Sequence, residues 1–352
     1  MPAQPAVRAV LTLLLALAAA QLCAAMRTPV PWMIGPLLAT SAASILGQPT
    51  RSVPALRNGG QLVIGTVLGL YFTPQVTALV ASLWWAIVLS VGWALLLGWA
   101  FGRWLHHGHA AGMGGTPRQQ RATSYFAGAI GGASEMTLLA EREGARTDLV
   151  AAAHSVRLIV VTVAVPFAVT LAGLHGVDVT LPGPRVIRWS GLGVLALAAG
   201  AGAALMQRTG RANPWFMGAL LPAMGLTMAG LELSAVPRWL TNAAQLVIGV
   251  SLGVRFRPEF MRTMPRWLAS VAVGTVGMIV MCAGFGAVLA LGSGLNWGTM
   301  VLGTSPGGIA EMAITAQALQ LGVPVVTAFQ VCRLVAVLVL VEPVYRWVAA
   351  ED

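Results

Sequence analysis

A short motif occurs twice in this chain and limits what it can fold into. Gly131-Gly132-Ala133-Ser134-Glu135-Met136 and Gly307-Gly308-Ile309-Ala310-Glu311-Met312 each lie in an otherwise apolar segment. In both, a glycine pair precedes a glutamate, and an arginine follows that glutamate by 22 residues, Arg157 and Arg333, inside a long apolar run. Carboxylates and guanidiniums in such surroundings are costly and mark function by default. The glycines weaken a helix and allow close approach of backbone to a ligand or to another helix.

Composition decides what those apolar segments are. The chain is 57% hydrophobic and 9% charged, with a mean hydropathy of +0.79, against roughly 25% charged in an ordinary soluble domain. Runs such as Val76 to Phe101 and Leu149 to Leu174 are long enough for a hydrocarbon core, which takes about 20 residues of helix. The expected class is an all-α polytopic membrane protein. A β-barrel does not fit, because its strands are short and alternate apolar with polar.

The net charge of +10 does not indicate nucleic-acid binding. All 21 basic residues are arginines, scattered singly or in pairs between apolar segments rather than gathered on one face. Cys23, Cys282 and Cys332 lie in apolar segments without metal-ligand spacing and are read as reduced packing residues. His106, His107 and His109 form a histidine cluster in the Gly102–Arg121 loop, with no carboxylate or thiol there to complete a metal site. No phosphate-binding loop or nucleophile elbow is present, so neither an enzyme nor a cofactor is expected.

The motif belongs to a longer duplication. Pro31-Trp32-Met33-Ile34-Gly35 is matched by Pro214-Trp215-Phe216-Met217-Gly218. "NGGQLVIGTVLGLYFTP" (Asn58–Pro74) is matched by "NAAQLVIGVSLGVRFRP" (Asn242–Pro258), with ten of 17 positions identical. The offsets are 183, 184 and, for the Gly-Gly-x-x-Glu block, 176. Residues 1–175 and 188–352 therefore read as two membrane repeats joined by a linker at 176–187. Residues 1–26 resemble a signal peptide, but Trp189 to Met206 opens the second half with a similar segment, so the first is read as a retained helix.

Arginines test the orientation of the halves. Twelve full crossings give 10 loop arginines inside and 9 outside, no bias. If the glycine-rich segments (122–140 and 297–318) enter and leave on one side, ten crossings remain, the repeats are inverted, and the split becomes 15 to 4 in the direction the positive-inside rule expects. Both termini are then cytoplasmic. Gly131, Gly132, Pro306, Gly307 and Gly308 mark the backbone break. Pro306 lacks a donor and would kink a helix. Irregular backbone at membrane depth is tolerated where it lines a cavity, so the breaks predict a central site.

At such a break, half-helix N-termini attract anions and freed carbonyls attract cations. Glu135 and Glu311 are candidates for carrying a proton or ligating sodium. Arg157 and Arg333 are candidates for holding a substrate carboxylate or for neutralising the glutamates. Ser134 and Ser305 border the breaks. Asn58, Gln61, Asn242 and Gln245 could line the same cavity, though interhelical hydrogen bonds or helix caps also explain them. The bland alternative is that the four charged residues pair only to hold the bundle together. His154, matched by Gln330, is read as a packing or hydrogen-bonding residue.

The quoted segments carry a family resemblance. "PWMIGPLLA", "NGGQLVIGTVLG", "GAIGGASEM", "NPWFMGALLPA", "NAAQLVIGVSLG" and "TSPGGIAEM", with "CRLV" around Arg333, resemble the AbrB-type duplicated integral membrane proteins of bacteria, from about residue 8 to 348. That family is variously labelled ammonia monooxygenase, regulator of gene expression and transporter. The resemblance implies a core of Gly131, Gly132, Glu135, Arg157, Gly307, Gly308, Glu311 and Arg333. It implies a bacterial inner-membrane location, with the lipid bilayer and a small solute as partners, and leaves a homo-oligomer open. The expected activity is secondary transport of a small polar solute, with the arginines favouring an organic acid or amino acid, coupled to H+ or Na+. A membrane sensor acting indirectly on gene expression is the alternative. Five histidines without a copper or iron site leave little support for a monooxygenase.

Overall fold

The computed structural model describes residues 5–174, 176, 186–210, 213–256 and 264–351, without the side chains of 134 and 348–351. Most of the 176–187 linker, and Arg185, Arg211, Arg257 and Arg262 of the topology count, lie outside the described residues. Among the described residues every regular element is a helix. The first repeat supplies α1 (Pro5–Ala25), α2 (Pro31–Ile45), α3 (Pro54–Gly69), α4 (Pro74–Ser82), α5 (Trp84–Met113), α6 (Pro117–Gly128), α7 (Ala133–Arg142) and α8 (Thr147–Leu171). The second supplies α9 (Trp189–Arg208), α10 (Pro214–Met228), α11 (Arg238–Gly253), α12 (Pro265–Ser293), α13 (Trp297–Thr304), α14 (Ile309–Ala318) and α15 (Val323–Glu351).

Local chemistry accounts for many boundaries. Proline opens α2, α3, α6, α10 and α12, where its missing N–H would have no intrahelical acceptor. The Pro31-Trp32 and Pro214-Trp215 pairs are thus helix starts. Val76 to Phe101 is not one helix. It is divided between α4 and α5 at Leu83. The histidine cluster is not in a loop either, since α5 continues to Met113 and residues 114–116 alone separate it from α6. Leucine and alanine, strong helix formers, carry the apolar run past the point where polarity suggests a stop.

Among the described residues, six helices are long and apolar enough to cross a membrane: α1, α5, α8, α9, α12 and α15. The α3–α4 pair, bent by 87°, makes a seventh if counted as one span. The chain is an all-α polytopic membrane protein. Its surface agrees with that medium: Leu11 and Leu14 on α1, Leu197 and Leu205 on α9, and Val273 and Val280 on α12 are exposed, as lipid contact requires and water would penalise. Only 22% of the apolar window of α1 or α9 is buried, against 67% for α8 and 61% for α15. Arg157 and Arg333 therefore stand on the most enclosed spans.

The chain forms two compact units, and neither coincides with a repeat. One comprises Met1–Ser82, Pro166–Pro258 and Ala313–Pro324, the other Leu83–Val165, Glu259–Met312 and Val325–Asp352. In the first, helices pack in the order α1, α2, α11, α3, α10, α9. In the second, the order α6, α5, α12, α13 recurs on the same principle. Exchanging the repeats reverses each series without changing it. Matching glycines permit the crossings. A Cβ on Gly65 would strike Phe216 O and lie 3.3 Å from Ala219 Cβ, while one on Gly249 would lie 2.6 Å from Met33 O and 3.1 Å from Pro36 Cβ. The core of the second unit includes Leu105, Phe126, Met136, Trp267 and Cys282.

Candidate functional site

Both glycine-rich segments are broken where the motif stands. α6 ends at Gly128 and α7 begins at Ala133, while α13 ends at Thr304 and α14 begins at Ile309. Each break presents the C-terminus of one half-helix and the N-terminus of the next, with backbone groups that need partners from outside the helix.

In the first repeat those partners come from α8. Arg157 Nη1 donates to Ala129 O at 2.9 Å and to Gly128 O at 3.4 Å, and Nη2 donates to Gly131 O at 3.3 Å. Nη2 also donates to His154 Nδ1. With Nδ1 accepting, the proton of a neutral imidazole sits on Nε2, which donates to Phe126 O at 2.9 Å. The second repeat repeats the clamp from α15 with a different residue. Arg333 donates from Nη1 to Ser305 O and from Nη2 to Gly307 O and Gln330 Oε1. Gln330 Nε2 lies 2.8 Å from Leu302 O, 3.1 Å from Ser305 O and 3.2 Å from Gly303 O. Arg333 Nε is buried and has no partner among the described residues.

The other side of each break explains the rest of the motif. Glu135 and Glu311 are the third residues of α7 and α14, where a glutamate folds back toward the N-cap and meets the positive end of the helix. Each does so over its glycine. A Cβ on Gly132 would collide with Glu135 Oε2 and sit 3.0 Å from its Cδ, and one on Gly308 would do the same with Glu311. The first glycine of each pair accommodates the methionine. A Cβ on Gly131 would lie 2.7 Å from Met136 Cε, and one on Gly307 would lie 2.8 Å from Met312 Cε. Gly-Gly-x-x-Glu-Met is thus a packing unit used twice, with methionine and glutamate folded back against successive glycines.

This geometry changes the expected partners of the arginines. The hydrogen bonds of Arg157 and Arg333 run to backbone carbonyls and to His154 or Gln330. The freed carbonyls assigned to a coupling cation are held by the chain's own guanidiniums. An ion pair of Arg157 with Glu135 is not formed, because the half-helix C-terminus supplies several acceptors and Glu135 is drawn to the opposite helix end.

Arg157, Arg333, Glu135, Glu311, Ser305 and the break residues Gly131, Gly132, Pro306, Gly307 and Gly308 all belong to the second unit. Ser134 is in α7, and its side chain lies outside the described residues. Asn58, Gln61, Asn242 and Gln245 belong to the first unit. Asn58 and Asn242 are not helix caps; each is the fifth residue of its helix, and the N-caps are Val53 and Pro237. His154 and Gln330 were absent from the candidate set although both touch the site. Their signal was positional: each precedes an intramembrane arginine by three residues and so shares its helix face.

A family model described as transition state regulatory protein AbrB matches residues 32–349. The chain belongs to the AbrB family. Among relatives in this family, the chain is 25% identical over 347 residues to the Bacillus subtilis (strain 168) protein called Uncharacterized protein YhjN, covering 90% of this chain and 86% of that one. It is 23% identical over 334 residues to Putative regulator AbrB of Escherichia coli (strain K12), covering 92% of each. These matches span both motif copies, so the duplicated break is an internal feature of the AbrB-family region and not an appendage to it.

Proposed function

We propose that this AbrB-family membrane protein is a secondary transporter for a small organic acid or amino acid, coupled to protons or sodium. The reading treats it as two inverted repeats in the bacterial inner membrane with both termini cytoplasmic. No enzymatic step and no cofactor are invoked. The observation that carries the proposal is the doubled break, with a buried guanidinium at one helix end and a glutamate at the other.

The crossings divide into the six long spans and four helices of 15–16 residues, α2, α3, α10 and α11. At 1.5 Å per residue these reach about 23 Å, enough for a thinned or water-lined region. The reversal of packing order on exchange of repeats supports a two-fold relation, and the 15 to 4 arginine split supports inversion.

The mechanism follows from the charges. The guanidinium offsets the negative end of the first half-helix, and the glutamate offsets the positive end of the second. When Glu311 takes up a proton, the N-terminal end of α14 loses its counter-charge and accepts a solute carboxylate instead. Release of the proton on the other side restores the glutamate and expels the solute. One proton then moves with one anionic group, and Glu135 offers the same device at α7.

Reconstitution in liposomes tests this. Uptake of labelled carboxylates and amino acids is measured under imposed proton or sodium gradients, alongside thermal stabilisation in detergent. A ligand at 100 times its dissociation constant stabilises by about 2.7 kcal/mol. Gradient-driven uptake that is lost in folded Glu311→Gln supports the reading. Uptake unchanged in both Glu135→Gln and Glu311→Gln would reduce the glutamates to structural caps. The name of the Escherichia coli relative favours a regulatory reading; ligand stabilisation without flux would select it.

A further inference from the structure

The histidine cluster plays no part in the proposed transport cycle, yet it borders a cavity. Trp104, His107, Gly108 and His109 of α5 and Ser270 of α12 line a space of about 330 Å³. Its wall is built. His109 Nε2 lies 2.8 Å from Ser270 Oγ, and the His109 ring stands edge-on to buried Trp267 with centroids 5.6 Å apart. His107 Nδ1 donates to Arg103 O at 2.8 Å, which leaves Nε2 as its remaining polar atom.

Two chemistries could use such imidazoles. A metal needs further ligands, and among the described residues no group of three histidine, cysteine or acidic side chains could hold one. Arg103 stands one turn before His107 on α5. Arg266 adds another positive charge one turn before Ser270. A cation is repelled here and an anion attracted.

The surroundings give the anion its source. α5 and α12 are both candidate spans, and Trp104 is 49% exposed, in the manner of an interfacial tryptophan. On α12 the face that begins at Ser270 continues through exposed Val273, Val276 and Val280, spacings that keep them on one broad side of the helix. A polar cavity thus heads an apolar stripe about two turns long. We infer that this cavity binds the phosphate headgroup of an anionic phospholipid, with His107 and the Ser270 hydroxyl as donors, His109 Nε2–H directed onto Ser270 Oγ, and the valine stripe against an acyl chain. With its Nδ1–H on Arg103 O, His107 can donate to the phosphate only from Nε2–H, so this contact requires the doubly protonated ring. The arginine count puts this end of α5 on the cytoplasmic side, where anionic lipids lie.

Native mass spectrometry of the full-length protein, titrated with phosphatidylglycerol or phosphatidylcholine, tests the assignment. Phosphatidylglycerol should bind in preference, and His107→Gln and Ser270→Ala should each weaken it by about tenfold, the loss of one charge-assisted hydrogen bond. Binding of phosphatidylcholine should not change. Ser270→Ala is a small change at a half-buried helix position and His107 is exposed, so both variants keep the fold, and circular dichroism verifies it. Equal affinity for the two lipids, or no change in either variant, overturns the inference. So does thermal stabilisation by inorganic phosphate that needs His107 while neither lipid shows preference, which would make this a free-phosphate site.

Discussion

Exchanging the two clamps between repeats gives a sharp test of the site's architecture. In the wild-type first repeat His154 does two jobs, donating to Phe126 O and accepting from Arg157 Nη2. His154→Leu keeps comparable bulk and removes both. It leaves a buried carbonyl without its donor and a buried guanidinium short of an acceptor, at about 1–3 kcal/mol for each group. The expected loss is about 4 kcal/mol, partly reduced if water enters. For a chain of this length that lowers the unfolding midpoint by about 5 °C. His154→Gln should behave differently, because Gln330 performs the same two jobs in the second repeat, Nε2 donating to Leu302 O and Oε1 accepting from Arg333. Its stability should stay within about 1 kcal/mol of wild type. The assay is thermal unfolding of detergent-purified protein for wild type and both variants at one pH. If glutamine is as damaging as leucine, or leucine is harmless, the clamp is not what orders the break.

Two further predictions follow from the backbone. Gly128→Ala would place a Cβ 2.5 Å from Gly102 N and 2.6 Å from Gly98 O, rigid atoms that must move, so it should cost about 1–3 kcal/mol or more in thermal unfolding. Gly308→Ala meets only the flexible end of Glu311 and should spare stability while displacing the carboxylate, so that proton-driven uptake falls without a matching fall in midpoint; equal damage by both alanines would contradict this. Val30 and Asn213 occupy equivalent left-handed positions before Pro31 and Pro214, with φ of 47° and 49°. Asn213→Val should cost about 1–2 kcal/mol through β-branched strain, and Asn213→Gly almost nothing; indistinguishable melting curves for the two would refute the strain argument.

The electrostatics of the break differ from an ion-pair scheme. An arginine bound to carbonyls leaves its end of the break with a net positive charge, whereas one bridged to a carboxylate would form a pair of zero net charge. Each break therefore separates its charges across two helix ends, and protonation of a single glutamate alters the local field by a whole charge. In the proposed transport cycle that arrangement suits coupling better than a direct bridge, which would have to be broken at each turnover.

Sequence alone determined a good deal about this protein. Apolar runs of helical length fix the medium, because a helix satisfies its backbone hydrogen bonds within its own segment and so can lie in lipid. The paired motifs fix the duplication, and Gly131-Gly132 with Pro306-Gly307-Gly308 fix where helices fail, since local backbone preference suffices to break them. Tertiary structure alone decided the partners. Arg157 reaches carbonyls 26–29 residues back along the chain, and no spacing rule distinguishes those from the carboxylate of Glu135, 22 residues back. What decides is burial: helix ends brought beside a guanidinium offer several fixed acceptors, while the glutamate finds compensation at the N-terminus of its own helix. The amides of Asn58, Gln61, Asn242 and Gln245 fall into a separate compact unit for the same kind of reason, because each unit is assembled from pieces of both repeats. Which pieces join depends on where small residues let helices meet, as at Gly65 and Gly249, and that is a property of two surfaces together.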